Sequence, residues 1–308
     1  MMAELAVPQV TAVIVTYRSR GVVGPALEAL KPGHDSGLLK CVVVDNNSGD
    51  GTAEAVAAAH PWVRLIRSPE NLGFGRGCNL GLEGADTPYF LILNPDVVFE
   101  FPELQKLIRF MESHPKAGMA APATHLPGGQ FQHVGGLSTP WSLVASALGF
   151  RAAPSRRPVL PGGEAFTTDW LCGAILLLPR GLFRDLAGFD PRFFLYFEET
   201  DLCVRIRSKG LELWAVGESV GSHTGGASAR VLDPTLREGD CLSQFFFPSR
   251  FYYLTKHHGR LAALLTESVQ LTMMALRDLG RFVLRRSDRR ELKHRLRGSL
   301  FASPPKVE

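Results

Sequence analysis

Residues 10–30 read VTAVIVTYRSRGVVGPALEAL, and residues 40–46 read KCVVVDN. The opening eight residues, 10–17, are rich in β-branched side chains and predict a strand. Residues 21–30 carry helical spacing, and the second apolar run predicts another strand that ends on Asp45. Both strands are almost continuously apolar, so both faces must be covered. Strand–helix–strand units of this kind build a parallel sheet flanked by helices. The alternation continues with a helix over TAEAVAAAH (52–60), for which Asp50 or Thr52 can serve as N-cap. A third strand follows at WVRLIRS (62–68), a helix opened by a glycine-rich loop at FGRGCNLGLEGA (74–85), and a fourth strand at PYFLILN (88–94).

Farther along, PELQKLIRFMESH (102–114) predicts a helix. Residues 122–168 are rich in Pro and Gly with weak periodicity, and read as long loops with short strands over the site. WLCGAILLLP (170–179) predicts a buried strand, RGLFRDLAG (180–188) a short helix stopped by Gly188, and LELWAVG (211–217) a strand. Between them FDPRFFLYFEETDLCVRIRSKG (189–210) is aromatic, then acidic, then helical. From Gln244 onward the pattern is helical. The chain thus divides into an α/β domain over 1–245 and a basic amphipathic helical region over 246–308.

The bulk properties are those of a globular protein: 308 residues, 45% hydrophobic, 21% charged. Five widely spaced cysteines without a Cys-x-x-Cys pair argue against a disulfide framework and a zinc knuckle, and favour a reducing compartment. The N-terminus MMAELAVPQV has no basic region followed by an apolar core, so no signal peptide is expected. The run Leu171–Leu178 is far shorter than the roughly 20 residues that cross a bilayer. Charge is uneven: residues 251–308 hold twelve Lys and Arg against five Asp and Glu, a net +7, and the rest of the chain a net −3. A basic arm on a near-neutral body points to an anionic partner, a lipid surface or nucleic acid. No nucleic-acid recognition motif accompanies it.

Three strand ends carry polar residues: Thr16-Tyr17, Asp45-Asn46-Asn47 and Asn94-Pro95-Asp96. Ligands of open parallel sheets bind outside the carboxyl ends of the strands, so three such ends outline a site. Each piece also has a plainer explanation. Asn-Pro-Asp is ordinary turn chemistry, and Asp45-Asn-Asn-Ser is an Asx turn entering a helix. Gly73, Gly75 and Gly77 suit close helix packing as well as a phosphate cradle. Glu198, Glu199 and Asp201 complement a helix dipole, and Asp201 is spaced to pair with Arg205. A carboxylate beside Phe189, Phe193, Phe194, Tyr196 and Phe197 would nonetheless bind protons tightly, which suits a general base. His223, in GSHTGGAS (221–228), is a solvated loop histidine unless the fold brings it to Asp96 on a metal.

Taken in order, VIVTYRS, VVVDNNSGDGT, NLGFGRGCNLGL, LILNPDV, the Trp170–Pro179 segment, GFDPRFFLYFEETDLCVRIRSKG and the His of GSHTGGAS resemble the family 2 glycosyltransferases of GT-A fold, most closely the rhamnosyltransferase and galactofuranosyltransferase branch. The resemblance spans roughly residues 10–260 and implies an α/β, mostly parallel sheet flanked by helices with a C-terminal helical extension. It implies that Thr16, Tyr17 and Asp45 hold the nucleotide. Asn71, Gly75, Arg76 and Asn79 would line the nucleotide-sugar side. Asn94-Pro95-Asp96 stands at the family's Asp-x-Asp motif. Asp96 and His223 would bind Mg2+ or Mn2+, with Asn94 tuning that site. Glu198-Glu199 stands at the acidic dyad, with Glu199 the base and Asp201 orienting the acceptor. The dyad is Glu-Glu where Glu-Asp or Asp-Asp is commoner.

The implied activity is inverting, metal-dependent sugar transfer in bacterial cell-surface polysaccharide synthesis. The donor would be dTDP-rhamnose, or alternatively UDP-galactofuranose or UDP-GlcNAc, and the acceptor a saccharide or a polyprenyl-diphosphate-linked sugar. A nucleotide-sugar-binding protein without transfer activity and a nucleotidyltransferase are the competing classes. Apolar residues from Leu261 to Val283 recur at helical spacing. That stripe would pack on the body or on a second subunit in a homodimer, or lie on an anionic membrane. A cytoplasmic protein, peripheral at the inner face of the membrane, is the corresponding expectation.

Overall fold

The period-two geometry of a strand sends successive side chains to opposite faces, and here both faces are apolar. In β1 (Val10–Thr16), Val10, Ala12 and Ile14 join a core formed with α1 (Val23–Asp35) and α4 (Phe101–Ser113), while Val13 and Val15 join a second core with α3 (Phe74–Leu82), α6 (Arg180–Asp185) and α7 (Glu198–Ser208). The computed structural model describes residues 9–150, 155–223 and 242–283. The N-terminal segment read for a signal peptide, the loop residues 224–228 and the most basic part of the C-terminal arm lie outside the described residues.

One sheet organises the chain. Strands β2 (Leu39–Asp45), β3 (Arg64–Arg67) and β4 (Tyr89–Leu93) run parallel with β1 in the order β4-β1-β2-β3, and α2 (Thr52–Ala59) leads from β2 to β3. The sheet continues past β4 through β11 (Ile175–Pro179), antiparallel to it, then β6 (Ala117–Leu126), β12 (Glu212–His223) and β10 (Phe166–Thr168). Short strands β5 (Val97–Val98) and β7 (Gln130–Phe131) pair with β12 and β6, and β8 (His133–Gly135) pairs with β9 (Arg156–Pro158) in a separate two-stranded ribbon.

Four elements depart from the sequence expectation. β6 begins five residues before the region expected to be mostly loop and runs into it, where AGMAAPATHL has a single β-branched residue, Thr124, and so a weak strand signal. Its small side chains are what the packing requires: a Cβ at Gly118 would lie 2.5 Å from Ile206 Cγ2 of α7. That region also holds α5 (Pro140–Ala147), begun by a reciprocal capping box between Thr139 and Ser142. β12 runs on through an irregularity after Val216 to His223, six residues beyond the expected end. In compensation, Trp170 lies outside β11, on an isolated bridge to Gly135.

Two C-terminal helices, α8 (Phe247–His258) and α9 (Arg260–Val283), follow a π-helical turn over Leu242–Phe246. They dock through an aromatic cluster in which Phe193 and Phe197 are buried with Tyr253, Leu254 and Ala263. Asp201 fixes α7 to α8. Its carboxylate is fully buried and receives Arg205 Nε at 2.7 Å, His257 Nε2 at 2.7 Å and the Lys256 ammonium. Burial pushes this carboxyl up, but the His257 and Lys256 hydrogen bonds and the Arg205 charge outweigh it and hold it below the ordinary Asp value. Arg250 and Glu267, paired at 2.7 Å and both buried, tie α8 to α9 in the same way.

Removing one member of such a cluster strands the others. Asp201→Asn is expected to cost about 3 kcal/mol in urea unfolding at neutral pH. Because the folded-state value is lowered, the advantage of Asp201 is complete above its unfolded value and lost as pH falls below about 4. A stability gap that stayed constant from pH 7 to pH 3 would count against the cluster.

Candidate active site

The parallel register sets three strand ends side by side: Thr16 is level with Asp45, and β4 ends beside β1 with Leu93 level with Ile14. Asp45 is closed on its own neighbours, receiving Thr16 Oγ1 at 3.1 Å and the Ser48 amide at 3.1 Å. Thr16 is itself fully buried. These two residues shape the strand edge from behind. The hollow in front of it is lined by Tyr17, Asn46, Asn71, Phe74, Pro95 and Phe194.

The rim of that hollow is held by one peptide unit. Gly73 N–H donates to Asn71 Oδ1 at 3.0 Å, and Asn46 Nδ2 donates to the Gly73 carbonyl at 3.0 Å. Gly73 has a φ of 79°, and a side chain there would strike the Phe194 carbonyl oxygen. With the Gly73 peptide taking one polar atom of each amide, Asn46 Oδ1 and Asn71 Nδ2 are buried without a protein partner among the described residues. Buried polar atoms in this condition call for a ligand or water. Both residues line the aromatic hollow, and an acceptor and a donor are what the imide edge of a pyrimidine base pairs with. The sequence reading names Asn46 only within a polar strand end and Gly73 only within the glycine-rich loop, and assigns neither to the nucleotide. The signal that could have found Asn46 is its place at the strand tip beside Asp45.

The other residues expected on the nucleotide-sugar side stand apart. Gly75 lies under α7, where a Cβ would come 2.9 Å from Phe189 Cβ and 3.5 Å from Glu198 Cβ. Asn79 clamps the Phe189 peptide, accepting its N–H at 2.9 Å and donating to its carbonyl at 2.8 Å. Arg76 faces Glu70 at 3.5 Å, and both Arg76 and Asn79 line a groove beside Phe183 and Gly188. The alternating glycines therefore serve close helix packing, the plainer of the two sequence readings.

Asn94-Pro95-Asp96 is both a turn and a device for placing a carboxylate. Asn94 N–H donates to Ala174 O, and Val97 N–H donates back to Asn94 O. β5 follows at once and pairs antiparallel with the end of β12, setting Val97 opposite His223. This pairing delivers His223 Nε2 to 3.1 Å from Asp96 Oδ1, with Asp96 buried. Two cis ligands of an octahedral ion with bonds of about 2.1 Å lie about 3.0 Å apart, so the pair fits one edge of such a sphere. No group of three His, Cys, Asp or Glu able to hold a metal occurs among the described residues. Magnesium-type sites commonly use one or two protein ligands and fill the rest with substrate phosphate and water.

Glu198 and Glu199 open α7. The preceding Tyr196 and Phe197 have φ of 67° and 69°, the left-handed region that bulky residues rarely adopt. Glu198 is buried against α3, with Oε2 unpartnered among the described residues. Burial, and secondarily the charge of Glu199, raise its carboxyl well above the usual range. Glu199 points the other way, into a second hollow lined by Arg156, Trp170, Tyr196, Phe197 and Phe246. Trp170 Nε1 donates to Glu199 Oε1 at 3.3 Å, and Thr200 Oγ1 at 3.1 Å. Burial raises its carboxyl too, against the lowering effect of those hydrogen bonds. Asp201 faces neither hollow's carboxylate but the ion cluster on α8. The loop Phe194–Phe197 divides the two hollows: Phe194 and Leu195 wall the first, Tyr196 and Phe197 the second.

Comparison with known proteins identifies the family. The profile of glycosyl transferase family 2 matches residues 11–165, half of the chain. An N-acetylglucosaminyl-diphospho-decaprenol L-rhamnosyltransferase of Mycobacterium tuberculosis H37Rv is 28% identical over 287 residues, covering 83% of this chain and 88% of its own. Rhamnosyltransferase WbbL of Escherichia coli K12 is 27% identical over 153 residues, 46% of this chain and 56% of its own. Among solved structures, S. aureus TarS 1–349 with UDP matches at a TM-score of 0.54 and 13% identity, over 93% of this chain and 89% of its own. Mannosyltransferase PcManGT from Pyrobaculum calidifontis, with GDP-Man and Mn2+, matches at 0.50 and 17% identity, over 96% of this chain and 84% of its own. At these identities the structural likeness speaks to the fold. The chain belongs to glycosyl transferase family 2 and is a glycosyltransferase of the GT-A fold.

Proposed function

We propose that this glycosyltransferase is inverting and metal-dependent, and that it moves a sugar from a pyrimidine nucleoside diphosphate to a saccharide or polyprenyl-diphosphate-linked acceptor in bacterial cell-surface polysaccharide synthesis. The observation that carries this reading is the pair of unpartnered amide atoms, Asn46 Oδ1 and Asn71 Nδ2, on two residues that line one aromatic hollow. They offer the acceptor and donor that a uracil or thymine edge requires. Between those bases, dTDP-rhamnose is favoured by the name of the M. tuberculosis relative. UDP-galactofuranose and UDP-GlcNAc stand as alternative donors.

The chemistry follows from the placement. The base and ribose occupy the hollow beside Tyr17 and Asn71, which directs the diphosphate toward Asp96 and His223. Mg2+ or Mn2+ held by those two residues supplies positive charge for the departing diphosphate. The acceptor enters the second hollow, across the Phe194–Phe197 loop. Glu199 takes the proton of the acceptor hydroxyl, whose oxygen bonds to the anomeric carbon as the bond to the diphosphate oxygen breaks. A single displacement inverts that carbon. Glu198, raised by burial, keeps a second negative charge away from the diphosphate.

Four experiments test this. Glu199→Gln is expected to lower kcat about 10²–10⁴-fold while donor binding stays within about twofold. In the wild type, kcat/KM should fall as pH drops, with a midpoint above the ordinary Glu value of about 4.3, because burial raises the pair that must lose its proton. Full transfer by the Gln variant would remove Glu199 as the base, and no transfer from any donor with Mg2+ or Mn2+ would favour a non-catalytic nucleotide-sugar-binding protein. Separately, a thermal-shift panel of dTDP- and UDP-sugars with Mn2+ should show stabilisation by one donor. Asp96→Ala should cost about a hundredfold or more in activity and Asn94→Ala much less. Equal losses would remove Asp96 from the metal site.

The surface bears on where the enzyme works. Of the nine exposed large apolar side chains among the described residues, eight lie on α5 with its following turn or on α9: Trp141, Leu148 and Phe150, and Leu261, Leu264, Leu265, Leu276 and Leu279. The two helices pack together, with Arg277 donating to the Ala147 carbonyl at 2.7 Å and Gln270 to that of Leu143. No described helix is long and apolar enough to cross a membrane. An apolar stripe followed by a basic segment is the arrangement of an interfacial helix, so we place this face on the anionic inner surface of the cell membrane. Vesicles rich in phosphatidylglycerol should sediment the protein, neutral vesicles should not, and Leu265→Glu with Leu276→Glu should release it. Failure to bind vesicles together with a dimer in light scattering would assign the face to a second copy.

A further inference from the structure

The hollow that holds Glu199 also presents a guanidinium. Arg156 lies on β9 and lines the hollow, and its guanidinium carbon sits 4.7 Å from the centre of the Trp170 ring. The same indole donates its N–H to Glu199 and, at 3.0 Å, to Thr200 Oγ1. One side chain therefore positions both charged groups, and they stand within about 10 Å of each other, one indole apart.

Arg156 has no carboxylate partner among the described residues, unlike Arg207, paired with Asp169 at 2.8 Å, or Arg205 with Asp201. The guanidinium lies over the Trp170 ring, and its N–H donors make no hydrogen bond among the described residues. Such a fork suits the oxygens of a phosphate. The rest of the wall combines the rings of Tyr196, Phe197 and Phe246 with Leu137, Ser138 and Thr200, and the one carboxylate in it is the group already assigned to the acceptor hydroxyl. A neutral saccharide would leave Arg156 without a use. A sugar with an anomeric phosphate would fill both ends, with its hydroxyl on Glu199 and its phosphate on Arg156.

We infer that Arg156 is the residue that selects a sugar-phosphate acceptor over a neutral sugar, with Trp170 holding it in register with Glu199. This rests on the transferase reading above and narrows its acceptor from two classes to one. The test measures binding, so that it is independent of turnover. Two probes would be titrated calorimetrically: N-acetylglucosamine joined through a diphosphate to a short isoprenoid, and the same sugar as a neutral octyl glycoside. The wild type should bind the diphosphate probe at least about tenfold more tightly than the glycoside. Arg156→Ala should reduce that ratio to about twofold or less, and Arg156→Lys, which keeps the charge but not the fork, should fall between. Melting curves of both variants establish that they are folded. Equal binding of the two probes by the wild type, an unchanged ratio in Arg156→Ala, or no binding of either probe would each overturn the assignment. Donor-dependent thermal shift reports the transferase reading separately, so its success or failure does not alter these outcomes.

Discussion

A buried carboxylate cannot remain charged without partners, since the desolvation cost of one ion is of the order of several kcal/mol. Asp201 meets that demand by gathering Arg205 from its own helix and Lys256 and His257 from α8. The arrangement couples distant parts of the chain. α7 cannot shift without breaking the cluster, and Glu198 and Glu199 are the first two residues of α7. α8 cannot leave without stranding the same charges. The dyad is therefore held in place from 56 residues away along the chain.

The second constraint is steric. Tyr196 and Phe197 adopt left-handed backbone at a cost of order 1–3 kcal/mol each. Burying aromatic rings offsets it, at roughly 1.5–3 kcal/mol per side chain. Phe197 packs 5.2 Å from the Phe246 ring and 5.3 Å from Tyr253, and Tyr196 packs 5.7 Å from Phe246. Exposed ion pairs such as Lys40–Asp86 are screened by water and decide nothing comparable. The consequence is a sharp turn of chain that walls the strand-tip hollow on one side and an aromatic hollow on the other, and then starts the helix carrying the carboxylates.

The sheet's parallel half was legible because burial on both faces leaves an unmistakable apolar run in β1, β2 and β4. β6 was not, since close approach of α7 at Gly118 selects small residues whose strand signal is weak. The glycines of α3 illustrate the limit for function. Gly75, Gly77 and Gly81 alternate as a phosphate loop might, yet a Cβ at each would meet Phe189, Val15 or Val13. Only the partner surface separates a cradle from a packing face. Asn79 and Arg76 carried the same ambiguity, and their side chains face the Phe189 peptide and Glu70.

By itself the sequence determined the succession of strands and helices over the first hundred residues, the three polar strand tips, the acidic start of α7 and the helices that follow Gln244 among the described residues. Each is local, written in periodicity and in turn chemistry. What only the tertiary structure decided is which of these meet. His223 reaches Asp96 because β5 and β12 pair, across 127 residues of chain. Glu198 and Glu199 diverge because one backs onto α3 and the other onto Trp170. Asn46 and Asn71 become a matched acceptor and donor because both clamp the Gly73 peptide. Such contacts depend on sequence separation that no local pattern encodes, and they follow from the packing of elements whose identities the pattern does encode.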